Sequence, residues 1–209
     1  MPAPPPAPAS PPAALPTLIV VSGPPGAGKT TLAHAIARAV GCPAVCRDEI
    51  KEGMVHATPG HVPGPADELN TRTLPAFFGV LELLLRAGVT TVAEAAYQDR
   101  LWRPGLTPLL TTADVRVVHC TVRADVALER TRLRLAANPV RRAHESGPPQ
   151  DPAAHAVRHD AFDRVALDVP WIEVDTTDGY APGLDEIVAF AGGPRRPGSG
   201  EPSTPRSPT

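Results

Sequence analysis

The sequence predicts an α/β fold, a five-stranded parallel sheet with helices on both faces. Two observations carry that expectation. Five short apolar or β-branched runs, at 18–21, 44–46, 89–93, 115–120 and 171–174, alternate with longer stretches of helical periodicity. Strands joined through helices lie parallel, with the crossovers packed on the sheet's faces. The first run, Leu18-Ile19-Val20-Val21, also passes through a glycine-rich turn directly into a helical pattern, which places that turn at the carboxyl edge of the sheet, where ligands bind.

The turn reads Gly23-Pro24-Pro25-Gly26-Ala27-Gly28-Lys29-Thr30-Thr31 and fits G-x-x-x-x-G-K-[ST], the phosphate-binding loop. Glycines let consecutive backbone N–H groups turn inward and cradle phosphate oxygens beside the positive end of a helix dipole. In such a loop Lys29 bridges the β- and γ-phosphates and the Thr30 hydroxyl ligates Mg²⁺. Of the 20 Lys and Arg residues only Lys29 and Lys51 are lysines, and one of these two fills the motif's lysine position. Residues Gly23 to Thr31 are therefore the expected nucleoside-triphosphate site.

The remaining elements follow in order. From Thr30 a helix carries Leu32, Ile36 and Val40 on one face and stops at Gly41. Ala44-Val45-Cys46 is a second strand, running into a polar loop at Arg47-Asp48-Glu49-Ile50. Residues 52–66, with their glycines, prolines, His56 and His61, read as irregular. Leu69, Phe77, Leu81 and Leu84 mark a helix over 67–87, kinked or broken at Pro75 and stopped by Gly88. Val89 to Ala93 is a third strand, ending at Glu94, and a helix follows over roughly 99–112. Val115 to Cys120 is a fourth strand. Asp125 leads a helix to Asn138, ended by Pro139, and Asp151-Pro152 starts another. Trp171 to Val174 is the fifth strand and 183–191 the last helix.

Composition bounds the rest. Of 28 prolines, eight fall in the first sixteen residues and five follow Gly193. Segments 1–14 and 193–209 lack apolar periodicity and read as disordered tails around one domain over 15–192. No basic region precedes an apolar stretch, and no apolar run is long enough to span a membrane, so the expected setting is the cytoplasm. A net charge of −2 argues against a nucleic-acid partner and leaves a small molecule as the expected substrate. Cys42, Cys46 and Cys120 are odd in number, lack metal-ligand spacing and read as small apolar residues. His155 and His159 stand at i, i+4 but have no third ligand in sequence, so they read as a polar helix face.

With these residues in place the chain resembles the small P-loop kinases and phosphotransferases of the nucleoside-monophosphate-kinase fold, such as chloramphenicol phosphotransferase, gluconokinase and shikimate kinase. The phosphate loop, the block Val45 to Ile50 and the block Glu173-Val174-Asp175-Thr176-Thr177 carry the resemblance. Sequences of this kind are often labelled ATP-binding proteins of the AAA type, although this core is too short for the mechanical AAA+ apparatus. The resemblance implies a P-loop NTPase fold with a small lid, ATP with Mg²⁺, and transfer of the γ-phosphoryl group to a hydroxyl. It implies that Asp48, just after the second strand, serves as base and metal-site carboxylate. The competing reading is that the residue caps a helix beginning at Glu49. Glu94 stands where such proteins hold the Mg²⁺-organising acid, usually Asp, and an ordinary strand-end carboxylate is the competing reading. Tyr97, Arg100 and Trp102 read either as acceptor pocket or as packing.

Six arginines, Arg123, Arg130, Arg132, Arg134, Arg141 and Arg142, fall within 123–142. The resemblance implies a lid in which Arg134, Arg141 and Arg142 stabilise charge during transfer. Two other functions fit the same motif. One is a polynucleotide or nucleotide-sugar kinase of the zeta-toxin type. The other is a non-catalytic ATP-dependent switch, which would have no need of an acceptor base at Asp48. Nothing in the sequence fixes the oligomeric state.

Overall fold

Every residue from Leu18 to Ser22 is buried, which only a central strand of a two-faced sheet can achieve. In the computed structural model, which describes residues 14–61, 68–137 and 152–192, this strand is β1 (Thr17–Ser22). It is followed by α1 (Lys29–Val40), β2 (Ala44–Cys46), α2 (Arg47–His56), α3 (Glu68–Arg86) and β3 (Thr91–Glu94). Then come α4 (Asp99–Leu106) with a 3₁₀ turn at Thr107–Thr111, β4 (Asp114–Thr121), α5 (Ala124–Ala137), α6 (Pro152–Asp160), β5 (Trp171–Asp175) and α7 (Leu184–Gly192). The strand order is β2-β3-β1-β4-β5 and every pairing is parallel. The expected five-stranded parallel α/β sheet is present.

Alternation along β1 divides the core in two. Leu18 and Val20 face a layer built from α3, α4 and the returning segment at Val165. Ile19 and Val21 face α1, α5 and α7. The first layer centres on four rings, Phe77, Phe78, Tyr97 and Trp102, whose centroids all lie between 5.2 and 6.4 Å apart. Gly105 permits this packing: a Cβ there would meet the Phe78 ring at 2.1 Å. Trp102 is wholly buried and its indole N–H donates to Ser22 Oγ at 3.1 Å, so it belongs to the core and not to an acceptor pocket. Asp99 ties the return segment down, accepting from the Ala166 amide at 2.8 Å and from the Arg103 guanidinium.

The structure departs from the sequence reading in three places. The polar loop after β2 is helical: α2 starts at Arg47 without a break, so residues 52–56 are also regular. Cys46 is extended and supplies no capping side chain, which hid the start, while Asp48 and Glu49 favour the helix dipole from the first turn. Residues 57–61 are irregular as expected, and 62–66, the remainder of that stretch, lie outside the described residues. Pro75 does not break α3, because it faces solvent, where water can satisfy the carbonyl it leaves unbonded. Strand β3 begins at Thr91, two residues late. Gly88 turns left-handed and the Val89 amide closes the end of α3 on Leu84 O at 2.9 Å, so it cannot join the sheet. Asn138 and Asp151, expected at helix ends, are outside the described residues, as are 1–13 and 193–209.

Removing the central indole tests this packing. Trp102→Ala should cost about 3–5 kcal/mol in urea denaturation, the usual loss for truncating a buried large aromatic. A loss of only a few tenths would return Trp102 to the surface of a pocket.

Candidate functional site

The carboxyl ends of β1, β2 and β3 fall at one level, since Glu94 is in register with both Val21 and Cys46. The loop between β1 and α1 opens over that edge. Two of its glycines have no substitute. Gly23 has φ 151° and an added Cβ would lie 2.4 Å from Cys120 O, while Gly26 has φ 82° and would place one 2.5 Å from Ala127 O. The loop is thus pressed against β4 and α5. No side chain caps α1 at Gly28 and no acidic residue occupies its first turn, so the helix's positive end is left for an anion.

Lys29 is 6% exposed and its ammonium donates to Pro24 O at 2.9 Å, spanning the mouth of the loop. The Thr30 hydroxyl donates to Glu94 Oε2 at 3.1 Å, and Glu94 is 4% exposed. Burial pushes the Glu94 carboxyl above the usual range, with Asp48 and Glu49 adding to the effect and Lys29 and Thr30 opposing it. A buried carboxylate beside a hydroxyl, held up by neighbouring negative charge, is a donor set of hard oxygens suited to Mg²⁺. Glycines that admit no Cβ and an uncapped helix suit a polyphosphate equally well. Both groups fit the residues present.

Asp48 sits in the first turn of α2, 40% exposed at its side chain, with Oδ1 accepting from Arg47 Nη1 at 2.9 Å. It follows Cys46, which is in register with Glu94, by two residues, so both carboxylates stand at the same edge of the sheet, and its charge raises the Glu94 carboxyl. Arg47, to which the sequence reading gave no role, is largely buried, donates to Asn70 Oδ1 at 2.6 Å and lies 5.8 Å over the Tyr97 ring. Tyr97 therefore links the aromatic core to the crevice, whereas Arg100 is exposed. Lys51, the second lysine, is fully buried on α2.

Arg130 is brought to the loop. It donates to Thr176 O at 2.7 Å and Thr176 Oγ1 at 3.3 Å, beside Gly28. The Thr176 hydroxyl lies 3.1 Å from the carbonyls of Ala27 and Thr121, so the end of β5 is latched to the loop. Arg134, one turn further along α5, is half-buried. Arg123 pairs with Asp125 on the surface. Arg141 and Arg142, and the lid expected around them, lie outside the described residues. Which arginine of α5 meets the loop depends on how the helix crosses it, which spacing along the chain does not encode.

A cavity of about 290 Å³ opens beside Gly23 and Pro24, lined also by His119, His159, Asp160, Phe162 and Arg164. His119 Nδ1 and His159 Nε2 are buried without hydrogen-bond partners among the described residues. Burial, and then the Arg164 charge, lower the His119 pKa to about 4, against a smaller opposing pull from Glu173. The imidazole is thus neutral in the fold and takes up a proton more readily once unfolded. Its contribution to stability is present above about pH 6.5 and is lost as pH falls towards 4. Relative to His119→Asn, the wild type should lose on the order of 3 kcal/mol across that window in urea titrations at stepped pH. Parallel pH profiles would contradict the buried neutral imidazole.

A family model described as an AAA domain matches residues 18–147. No curated protein matches the sequence. Among solved structures the chain is similar to a "putative kinase" from Chloroflexus aurantiacus j-10-fl, at 24% identity and TM-score 0.73, over 84% of this chain and 96% of that one. It is also similar to a sugar kinase from Janibacter sp. HTCC2649, at 20% identity and TM-score 0.52, over 84% and 92%. The APS kinase of Mycobacterium tuberculosis, solved with AMPPNP and APS, aligns at 14% identity and TM-score 0.57, over 85% and 98%. These likenesses show a shared fold, that of the small P-loop kinases. Among the described residues no helix is long and apolar enough to cross a membrane. The family model spans well over half of the 209 residues, and the chain belongs to the AAA domain family, on a nucleotide-binding P-loop fold.

Proposed function

We propose that the chain is an ATP-dependent phosphotransferase that moves the γ-phosphoryl group to a hydroxyl of a small molecule in the cytoplasm. The observation that carries this reading is the meeting of three groups at one sheet edge: the loop lysine, the Thr30–Glu94 pair and the Asp48 carboxylate. A binding module needs the first two. Only transfer chemistry uses a carboxylate held beside them in an open crevice.

Each residue then has a task. The amides from Gly26 to Thr31 hold the phosphate chain, and Lys29 leaves the Pro24 carbonyl to meet the β- and γ-oxygens. The Thr30 hydroxyl and the Glu94 carboxylate would hold Mg²⁺, which would neutralise charge on the phosphates. Asp48, oriented by Arg47, accepts the proton of the acceptor hydroxyl as its oxygen attacks phosphorus. Arg130, fixed on Thr176, keeps positive charge over the helix α1 N-terminus. Arg134, Arg141 and Arg142 are proposed to add positive charge at the transferring group. Kinase descriptions of the structural neighbours point the same way.

Two substitutions test the assignment, with phosphoryl transfer measured against a panel of hydroxyl metabolites. Lys29→Ala should lower turnover by about 10²-fold or more while the melting temperature holds, since an oriented cation in a dry site is worth several kcal/mol. Asp48→Asn keeps the side chain's shape but cannot take a proton. It should retain ATP affinity within a few-fold and lose most of kcat. Normal transfer by the Asp48→Asn protein would reduce Asp48 to a helix-end residue.

A further inference from the structure

We propose that His34, Cys46 and Glu49 form a zinc-binding site at the junction of α1, β2 and α2. One donor atom from each of the three converges, all within 4.8 Å of one another. They come from separate elements: His34 from the second turn of α1, Cys46 from the last position of β2, and Glu49 from the first turn of α2. The sequence reading found no metal-ligand spacing around the cysteines, and none exists along the chain. The fold supplies the proximity instead.

The geometry suits a single ion. His34 Nε2 and Cys46 Sγ are 3.8 Å apart. Two such ligands on one tetrahedral zinc, with bonds of about 2.0 and 2.3 Å, stand roughly 3.6 Å apart. His34 Nε2 and Glu49 Oε1 are 2.7 Å apart, a hydrogen bond that must open by several tenths of an ångström to admit an ion. Both side chains have that freedom, being 40% and 47% exposed. Cys46 is the fixed point, only 2% exposed at the foot of the cluster.

The donor chemistry selects the metal. Imidazole, thiolate and carboxylate together match zinc, whereas the hard oxygens of the Thr30–Glu94 pair match Mg²⁺. In the metal-free protein, burial and the charges of Glu94, Glu49 and Asp48 push the Cys46 thiol well above its usual range, so it carries its proton. Binding therefore displaces one proton from sulfur to solvent and forms one metal–sulfur bond. Protein supplies three ligands and water the fourth, leaving a position open to solvent between the two exposed donors. Cys46 and Glu49 flank Arg47 and Asp48, so an ion here would staple the first turn of α2 to α1 and fix the carboxylate between them.

The test uses Co²⁺ as a spectroscopic probe on the full chain, with no activity measurement needed. Stoichiometric Co²⁺ should give a near-ultraviolet sulfur-to-metal charge-transfer band together with intense visible bands of four-coordinate geometry. Equimolar Zn²⁺ should abolish both. Cys46→Ser should lose the charge-transfer band, whereas Cys42→Ser and Cys120→Ser should keep it. His34→Gln and Glu49→Gln, both at partly exposed positions that leave the fold intact, should each weaken Co²⁺ binding about 10-fold or more. Weak visible bands alone, typical of an oxygen site, would overturn the proposal. So would a charge-transfer band that survives in Cys46→Ser, or unchanged affinity in both glutamine variants. The phosphotransferase reading stands or falls separately on Lys29 and Asp48.

Discussion

The loop between β1 and α1 has no spare volume, and the rest of the site depends on that constraint. Gly23 is pressed against the Cys120 carbonyl and Gly26 against the Ala127 carbonyl, closely enough to exclude a methyl group. The loop's path is therefore dictated by β4 and α5 and not by its own side chains. Thr176 completes the enclosure by touching the Ala27 carbonyl from the end of β5, and Arg130 bonds Thr176 in turn. Lys29 and Thr30 follow from this path, because α1 can begin only where Gly28 turns left-handed with φ 65°. Any change that widens the contact with β4 would move the lysine, the hydroxyl and the helix terminus together.

Charge is arranged around that loop with similar economy. Lys29 and Glu94 are both buried at this sheet edge, and the lysine's charge opposes the cost of burying the carboxylate. Asp48 and Glu49 add further negative charge from the first turn of α2, which lifts the Glu94 carboxyl and favours a bound cation. Arg47 offsets part of this excess while bridging Asp48, Asn70 and the face of Tyr97. The crevice thus has a cationic floor at the loop and an anionic wall at α2, the polarity that a phosphate chain with its metal requires.

Much of the fold was legible in the sequence because β1 and the loop carry signals that tertiary context does not override. A wholly apolar β-branched run, a glycine pattern and a helix stopped by Gly41 each have a local cause. The start of α2 was not legible: Cys46 gives no capping signal, and the helix exists because it packs on α3. Pro75 was misleading for the opposite reason, since only burial decides whether a lost backbone bond matters. In the site, the pairing of Thr30 with Glu94 lay within reach of strand-end reasoning. The placement of Arg130 over Arg134 and the convergence of His34 with Cys46 depend on how elements cross, which spacing along a chain does not encode.

The central claim is that the amides of this loop are held ready for a phosphate chain. Hydrogen exchange resolved at residues 26–31, with and without a non-hydrolysable ATP analogue and Mg²⁺, tests it most directly. No side chain caps α1, so on this account exchange at 26–31 slows strongly when nucleotide is added, while that of α7 stays unchanged. Exchange at 26–31 that is the same at saturating nucleotide would contradict it.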